Sequence, residues 1–225
     1  MSRRALSVLL VLVLAACGGG CAVGAGGEEG TATLWVTRDR GAQVLVDAEV
    51  DAGQTLMRAL AAEADVETRY GGRYIQSIEG LEGSLTTQRD WFWFVNGYEG
   101  DRSAASYRLR DGDVAWVDYR AWEREGEARV VVGAFPEPFV HGYDGRRRPG
   151  VVRYAAGREA RARELAREVG AESVEPLGTA VPDGANVLEV RAGRRAAAEL
   201  LGETAGDPVR LVLGDVDVAR RYAVP

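Results

Sequence analysis

The sequence predicts an α+β protein made of two blocks in series, and three observations carry that reading. Residues 31–122 alternate apolar and polar side chains in short runs around a single helical repeat. Residues 128–225 alternate valine-rich runs with helical spacing. Ahead of both lies a short apolar leader, followed by Gly18, Gly19, Gly20, Gly24, Gly26, Gly27 and Gly30, a composition that tethers rather than folds. The chain has 225 residues and a formal net charge of -6 from 28 basic and 34 acidic side chains, every basic one an arginine. That acidic balance argues against nucleic acid as a partner. One histidine and two cysteines leave little for a His/Cys metal site or a disulfide framework, so neither a metal nor a cofactor is expected.

The leader comes first in order. Met1-Ser2-Arg3-Arg4 is a short positive stretch, and the apolar run Ala5–Ala16 is too short to cross about 30 Å of hydrocarbon as a helix. It ends in Leu14-Ala15-Ala16-Cys17, which resembles the bacterial lipobox, where cleavage exposes a diacylated cysteine. The resemblance implies a signal peptide over residues 1–16, lipidation at Cys17, a tether over 17–30, and a home on the extracytoplasmic face of the cell membrane. Cys21 follows only glycines and reads as a spare thiol. Loss of Arg3 and Arg4 with the leader makes the body more acidic, which favours a domain standing off an anionic leaflet.

In the first block, Leu34 and Val36, then Val44, Val46 and Ala48, alternate as half-buried strands do. Asp51-Ala52-Gly53 is a turn, and Thr55 is placed to cap a helix carrying Leu56, Met57, Leu60, Ala61 and Ala64. Strands are expected at Val66–Tyr70, Tyr74–Ile78, Trp91–Val95 and Val114–Tyr119. Gly71-Gly72, Asn96-Gly97 and Asp111-Gly112 supply the positive φ of tight turns. Two strands, a helix and further strands is the order of a β-grasp.

In the second block, Val130–Val132 and Val151-Val152 read as strands. Ala162, Leu165, Ala166 and Val169 give i, i+3, i+4, i+7 helical spacing, with a Glu159–Arg163 pair on the polar side. A strand at Val187–Val190, a helix from about Arg194 to Leu201 and a strand at Val209–Leu213 close the block. The alternation points to a small two-layer α/β sandwich, of which the ferredoxin-like arrangement is one form.

The most unusual stretch is Asp90-Trp91-Phe92-Trp93-Phe94-Val95-Asn96-Gly97-Tyr98. On a strand, Trp91, Trp93 and Val95 share one face, and Phe92 and Phe94 the other. One face must pack on the Leu56–Ala64 helix. The other is either a second core layer or a ligand platform.

Four motifs in order, Thr55-Leu56-Met57-Arg58-Ala59-Leu60, Gly72–Gly80, Trp91–Gly97 and Leu109–Trp116, make residues 31–122 resemble the transcobalamin-like C-terminal domain. This is a β-grasp family of ligand-binding domains found in secreted and lipid-anchored proteins. In the vitamin B12 carriers of that family the domain closes over one face of the corrin ring, while a helical barrel holds the other. Within these 225 residues nothing resembles that barrel. The resemblance implies a β-grasp and a ligand site at Trp91 and Tyr74, with Trp93 and Tyr98 as neighbours. A corrinoid or other small ligand, and a transporter or an envelope protein, are the partners it implies.

Weaker stretches complete the survey. Phe135-Pro136-Glu137-Pro138-Phe139 with His141 and Tyr143 reads as an extended interdomain brace or the rim of a site. Arg146-Arg147-Arg148 before Pro149-Gly150 reads as a solvated hairpin tip, with anion binding as its alternative. His141 has no nucleophile motif beside it, and Asp215-Val216-Asp217 lacks the further oxygens a cation needs. No acid–base pair, nucleophile or phosphate loop assembles, so the expected function is binding rather than catalysis. The expected ligand is small and largely planar or amphipathic; a protein-docking role is the alternative.

Overall fold

The computed structural model describes residues 29–122 and 129–216. Cys17 and Cys21 lie outside the described residues, as does Asp217. The described residues are strand-rich with two short helices. Strands β1 (Thr31–Arg38) and β2 (Gln43–Asp51) form an antiparallel hairpin. Helix α1 (Leu56–Glu63) follows, and the Thr55 side chain accepts from the Arg58 N–H at its first turn, as its sequence position requires. Strands β3 (Val66–Arg69), β4 (Tyr74–Ile78) and β5 (Leu81–Glu82) make a small antiparallel sheet. Strands β6 (Arg89–Val95), β7 (Tyr98–Glu99) and β8 (Val114–Ala121) join the first hairpin in a five-stranded sheet ordered β2-β1-β8-β6-β7. Its central pair, β1 and β8, runs parallel; the other pairs are antiparallel.

The period of two decides what each face of this sheet buries. Leu34, Val36, Trp91, Val95, Ala115 and Val117 fall in one apolar cluster with Leu56 and Leu60 of α1. Trp35, Phe94, Val114 and Trp116 cluster separately with Val131 and Ala134. Phe94 is buried and Phe92 half-buried, so the second aromatic face is a core layer rather than an open platform. Beside it, the buried Asp118 carboxylate accepts from Arg120 Nε at 2.7 Å and from the backbone N–H of Arg40 at 3.1 Å. The Arg120 guanidinium in turn lies 4.7 Å from the centre of the Phe94 ring.

The second sheet comprises β9 (Gly150–Tyr154), β10 (Ser173–Pro176), β11 (Asn186–Val190), β12 (Ala196–Leu200) and β13 (Val209–Leu213), ordered β10-β9-β11-β13-β12. Helix α2 (Glu159–Glu168) connects β9 to β10 and buries Ala162, Leu165 and Ala166, with Val169 buried at its C-cap, the four residues of the i, i+3, i+4, i+7 spacing. Three strand pairs are parallel and only β12–β13 is antiparallel. A ferredoxin-like sheet is antiparallel throughout, so that form does not apply.

Two expected elements differ. The helix expected from about Arg194 to Leu201 is strand β12: Ala196, Ala198 and Leu200 pair with Leu213, Leu211 and Val209 along the sheet edge. Helix propensity in an alanine-rich run is a weak preference, and pairing with an already buried strand outweighs it. Val130–Val132 form no strand of the second sheet. Val130 bridges to Tyr98, and the Val131 N–H donates to the Gly97 carbonyl at 2.8 Å, so this segment extends the edge of the first sheet.

A polar seam ties that segment inward. The Asn96 amide donates at 2.7 Å both to Asp113 Oδ1 and to the Gly142 carbonyl, while its oxygen accepts from the Val114 N–H at 2.8 Å. Asn96 and Gly97 take φ of 50° and 84° in the β6–β7 turn, a conformation Asn-Gly adopts at little cost. Burial pushes the Asp113 carboxyl up to about 6, partly offset by the Arg110 backbone N–H and Asn96 donors and reinforced by the charge of Glu137.

Candidate functional site

An aromatic concavity on the first block opens between the small sheet and the start of β6. It encloses about 340 Å³ and is lined by Tyr70, Tyr74, Gln76, Glu82, Asp90 and Trp122, with Arg69, Gly83, Ser84 and Leu85 completing it. The β3–β4 hairpin makes one wall. Tyr70, Gly71 and Gly72 all take positive φ in its turn, which holds the Tyr70 ring outward at 79% exposure. Tyr70 and Tyr74 meet edge to face, ring centres 6.1 Å apart.

The opposite wall is β6 and the chain leaving β8. The Tyr74 hydroxyl donates to Asp90, spanning the two walls. Burial and then the Asp90 hydrogen bond push the Tyr74 phenol up to about 12, so at neutral pH it is a proton donor. Gly83 lies so close to Asp90 that a Cβ there would meet the carboxylate at 2.4 Å. The Trp122 backbone N–H donates to the Gln88 carbonyl at 2.8 Å, fixing the indole at the rim. Its Nε1 is buried and has no acceptor among the described residues.

Chemically, the site offers three aromatic rings, two carboxylates, one guanidinium and one uncommitted indole donor. Apolar faces with a few convergent polar groups are what a small amphipathic ligand needs.

The four ring residues expected at one site do not converge. Tyr74 lines the concavity. Trp91 lies beneath it, buried, its indole N–H donating to the Leu81 carbonyl at 2.8 Å and its ring 5.2 Å from that of Tyr119. The Tyr119 hydroxyl donates to the next carbonyl, that of Glu82, at 2.8 Å. These two side chains therefore carry the floor on which β5 rests. Trp93 packs against Tyr107 instead, with centres 5.6 Å apart, and a Cβ at Gly100 would strike its ring. Tyr98 is buried, and its hydroxyl donates to the Asp207 carbonyl at 2.8 Å.

Tyr70, Asp90 and Trp122 also line the concavity, beyond the four ring residues the sequence points to. The Gly-Gly turn that displays Tyr70 is visible in sequence, whereas nothing local marks Trp122, which reaches the site only because β8 pairs with β6. The Pro-rich segment is not extended: successive turns bury Phe135 and Phe139, with the Phe135 N–H on the Val132 carbonyl at 2.8 Å and the Glu137 N–H on that of Ala134 at 3.0 Å. His141 Nδ1 lies 2.6 Å from the buried Glu137 carboxylate. Asp215 is held by both terminal nitrogens of Arg158, at 2.7 and 3.0 Å. Among the described residues no group of three His, Cys, Asp or Glu side chains is placed to hold a metal ion.

Comparison with known proteins gives three findings. A family described only as a domain of unknown function (DUF4430) matches residues 53–121. No curated protein matches. Among solved structures, a protein from Ruminococcus gnavus ATCC 29149 described as a "putative metal binding protein" is 19% identical with a TM-score of 0.36, over 42% of this chain and 100% of that one. Haptocorrin in complex with Cbi is also 19% identical with a TM-score of 0.36, over 43% of this chain; the match spans 26% of the haptocorrin chain.

Proposed function

We propose that residues 31–122 are a transcobalamin-like β-grasp module that binds a small, largely planar or amphipathic ligand at the Tyr74 concavity. The observation that carries this reading is the convergence of Tyr70, Tyr74 and Trp122 around about 340 Å³ with Asp90, Glu82 and the free indole N–H of Trp122. The order of two strands, helix, further strands, with β1 and β8 parallel at the centre and α1 on one face, supports the β-grasp assignment. The volume lies at the small end of ligand sites, which run from about 300 to 1,000 Å³. It suits one ring system or the edge of a larger one, so a corrinoid would be held by part of its surface.

The same reading places the protein on the extracytoplasmic face of the membrane, anchored through lipidated Cys17, with the second sheet and α2, residues 150–213, as an α/β unit of its own. Its role there is capture, in service of a transporter, and not catalysis. One observation favours a second reading, docking to an envelope protein: Tyr70 at 79% and Leu85 at 80% exposure stand on the rim.

A thermal-shift series on the full chain with cobalamin, haem and flavin separates the two. A ligand that binds only the native state raises the melting temperature by mass action. A rise with one of these planar compounds supports capture. No rise with any of them, together with a stable complex with an envelope protein that Tyr70→Ser and Leu85→Ser abolish, supports docking.

A further inference from the structure

We infer that the cleft between the two sheets is an oxyanion site for a small soluble molecule carrying a phosphate dianion. It encloses about 530 Å³ and is built from three distant segments: Asp101 and Arg102 after β7, residues 143–148 between the sheets, and residues 204–207 before β13. Concavities where two packed units meet are preferred places for ligands.

The arginine triplet reaches the cleft through a tight turn. The Arg146 N–H donates to the Tyr143 carbonyl at 3.0 Å, with Asp144 and Gly145 at φ of 52° and 72° between them. The three side chains then part company. Arg148 is fixed by the carbonyls of Gly206 and Gly184 and by Asp207. Arg147 is fixed by Nε on the Phe139 carbonyl at 2.7 Å and Nη2 on the Gly170 carbonyl at 3.2 Å. The two carbonyls orient the Arg147 guanidinium without neutralising it, whereas Arg148 is ion-paired with Asp207. Arg146 is exposed, and its guanidinium has no partner among the described residues.

The carboxylates present are already engaged. Asp207 accepts from the Glu203 and Thr204 N–H groups at 3.0 and 2.9 Å and from the Thr204 hydroxyl, and these donors hold it below the usual carboxylate range. Asp144 is shared by Arg102 and Arg110, each at 3.3 Å, and Asp101 is taken by Arg102 at 2.8 Å and the Tyr143 hydroxyl at 2.7 Å. Among the cleft's lining residues four arginines face three aspartates, one positive charge in excess on a protein of net charge -6. A concave site of opposite sign to the body concentrates an anion, and guanidinium groups match the geometry of phosphate oxygens.

The test is calorimetric titration of the full chain with inorganic phosphate at pH 7.5, against sodium chloride at matched ionic strength. Saturable binding of phosphate but not chloride is expected, weakened at least tenfold in Arg146→Glu. Arg146→Ala, which removes no internal contact, is expected to keep the melting temperature of the parent and still weaken phosphate several-fold. Equal heats from chloride and phosphate would overturn the assignment, as would Arg146→Glu binding within twofold of the parent. Sedimentation with phosphatidylglycerol vesicles without any response to free phosphate would overturn it too.

Discussion

The indole N–H of Trp91 donates to the Leu81 carbonyl at 2.8 Å, and with the Tyr119–Glu82 and Tyr74–Asp90 hydrogen bonds it joins the five-stranded sheet to the small sheet that walls the concavity. Trp91 thus supports the site from below and offers no face to a ligand. Trp91→Ala is expected to cost about 3–5 kcal/mol, as aromatic truncations in a core do. Trp91→Phe keeps most of the ring but strands the carbonyl, at about 1–3 kcal/mol. Urea unfolding of the two variants checks this ordering: no loss in Trp91→Phe would show that the hydrogen bond contributes nothing, and equal losses would show that ring packing contributes nothing.

Leu60 is fully buried in the apolar cluster that also holds Leu34, Val36 and Val117. Leu60→Ala is expected to destabilise the protein by about 2–5 kcal/mol, the range for a leucine truncated in a packed core. A loss below about 1 kcal/mol would contradict the placement of α1 as the cover of the first sheet.

Asp113 sets a pH dependence. Burial, with the Glu137 charge adding to it, raises its carboxyl from 3.8 to about 6, so the native state holds a proton that the unfolded chain has already released. Its contribution to stability is therefore present in acid and falls as pH rises from about 4 to about 6, by about 3 kcal/mol in total. Asp113→Asn cannot titrate. Denaturation of both proteins at pH 4.5 and 7 is expected to show the parent losing stability relative to the variant over this interval. A constant difference between them would contradict the buried, protonated carboxyl.

How much of this was legible in the chain depends on how local the cause is. Thr55 and the Leu56–Leu60 spacing describe α1 completely, because a cap and a turn of helix lie within a few residues. Asn96-Gly97 marks its turn for the same reason. The alternation in β6 separates Trp91 from Phe94, but nothing in it says that Trp91 would find the Leu81 carbonyl while Trp122 would not find an acceptor. Those outcomes depend on pairing between β6 and β8 and on a hairpin elsewhere. Ala196–Leu200 misleads because an edge strand borrows its conformation from β13. The arginine triplet reads as a solvated tip until the turn at Asp144-Gly145 brings it against residues 204–207.

The proposed anchoring rests on Leu14-Ala15-Ala16-Cys17. Cys17→Ala is expected to abolish acyl labelling and release the protein from the membrane fraction. Continued acylation of that variant would place the modification at Cys21.

The concavity is tested most directly by calorimetric titration of the full chain and two variants with whichever of cobalamin, haem or flavin gives the largest thermal shift. Tyr74→Ala removes a wall and its hydroxyl, and Trp122→Phe removes only the indole donor. The account predicts at least tenfold weaker binding, about 1.4 kcal/mol, in Tyr74→Ala and a smaller loss in Trp122→Phe, both folded. Binding within twofold of the parent in both variants would contradict a ligand site bounded by Tyr74 and Trp122.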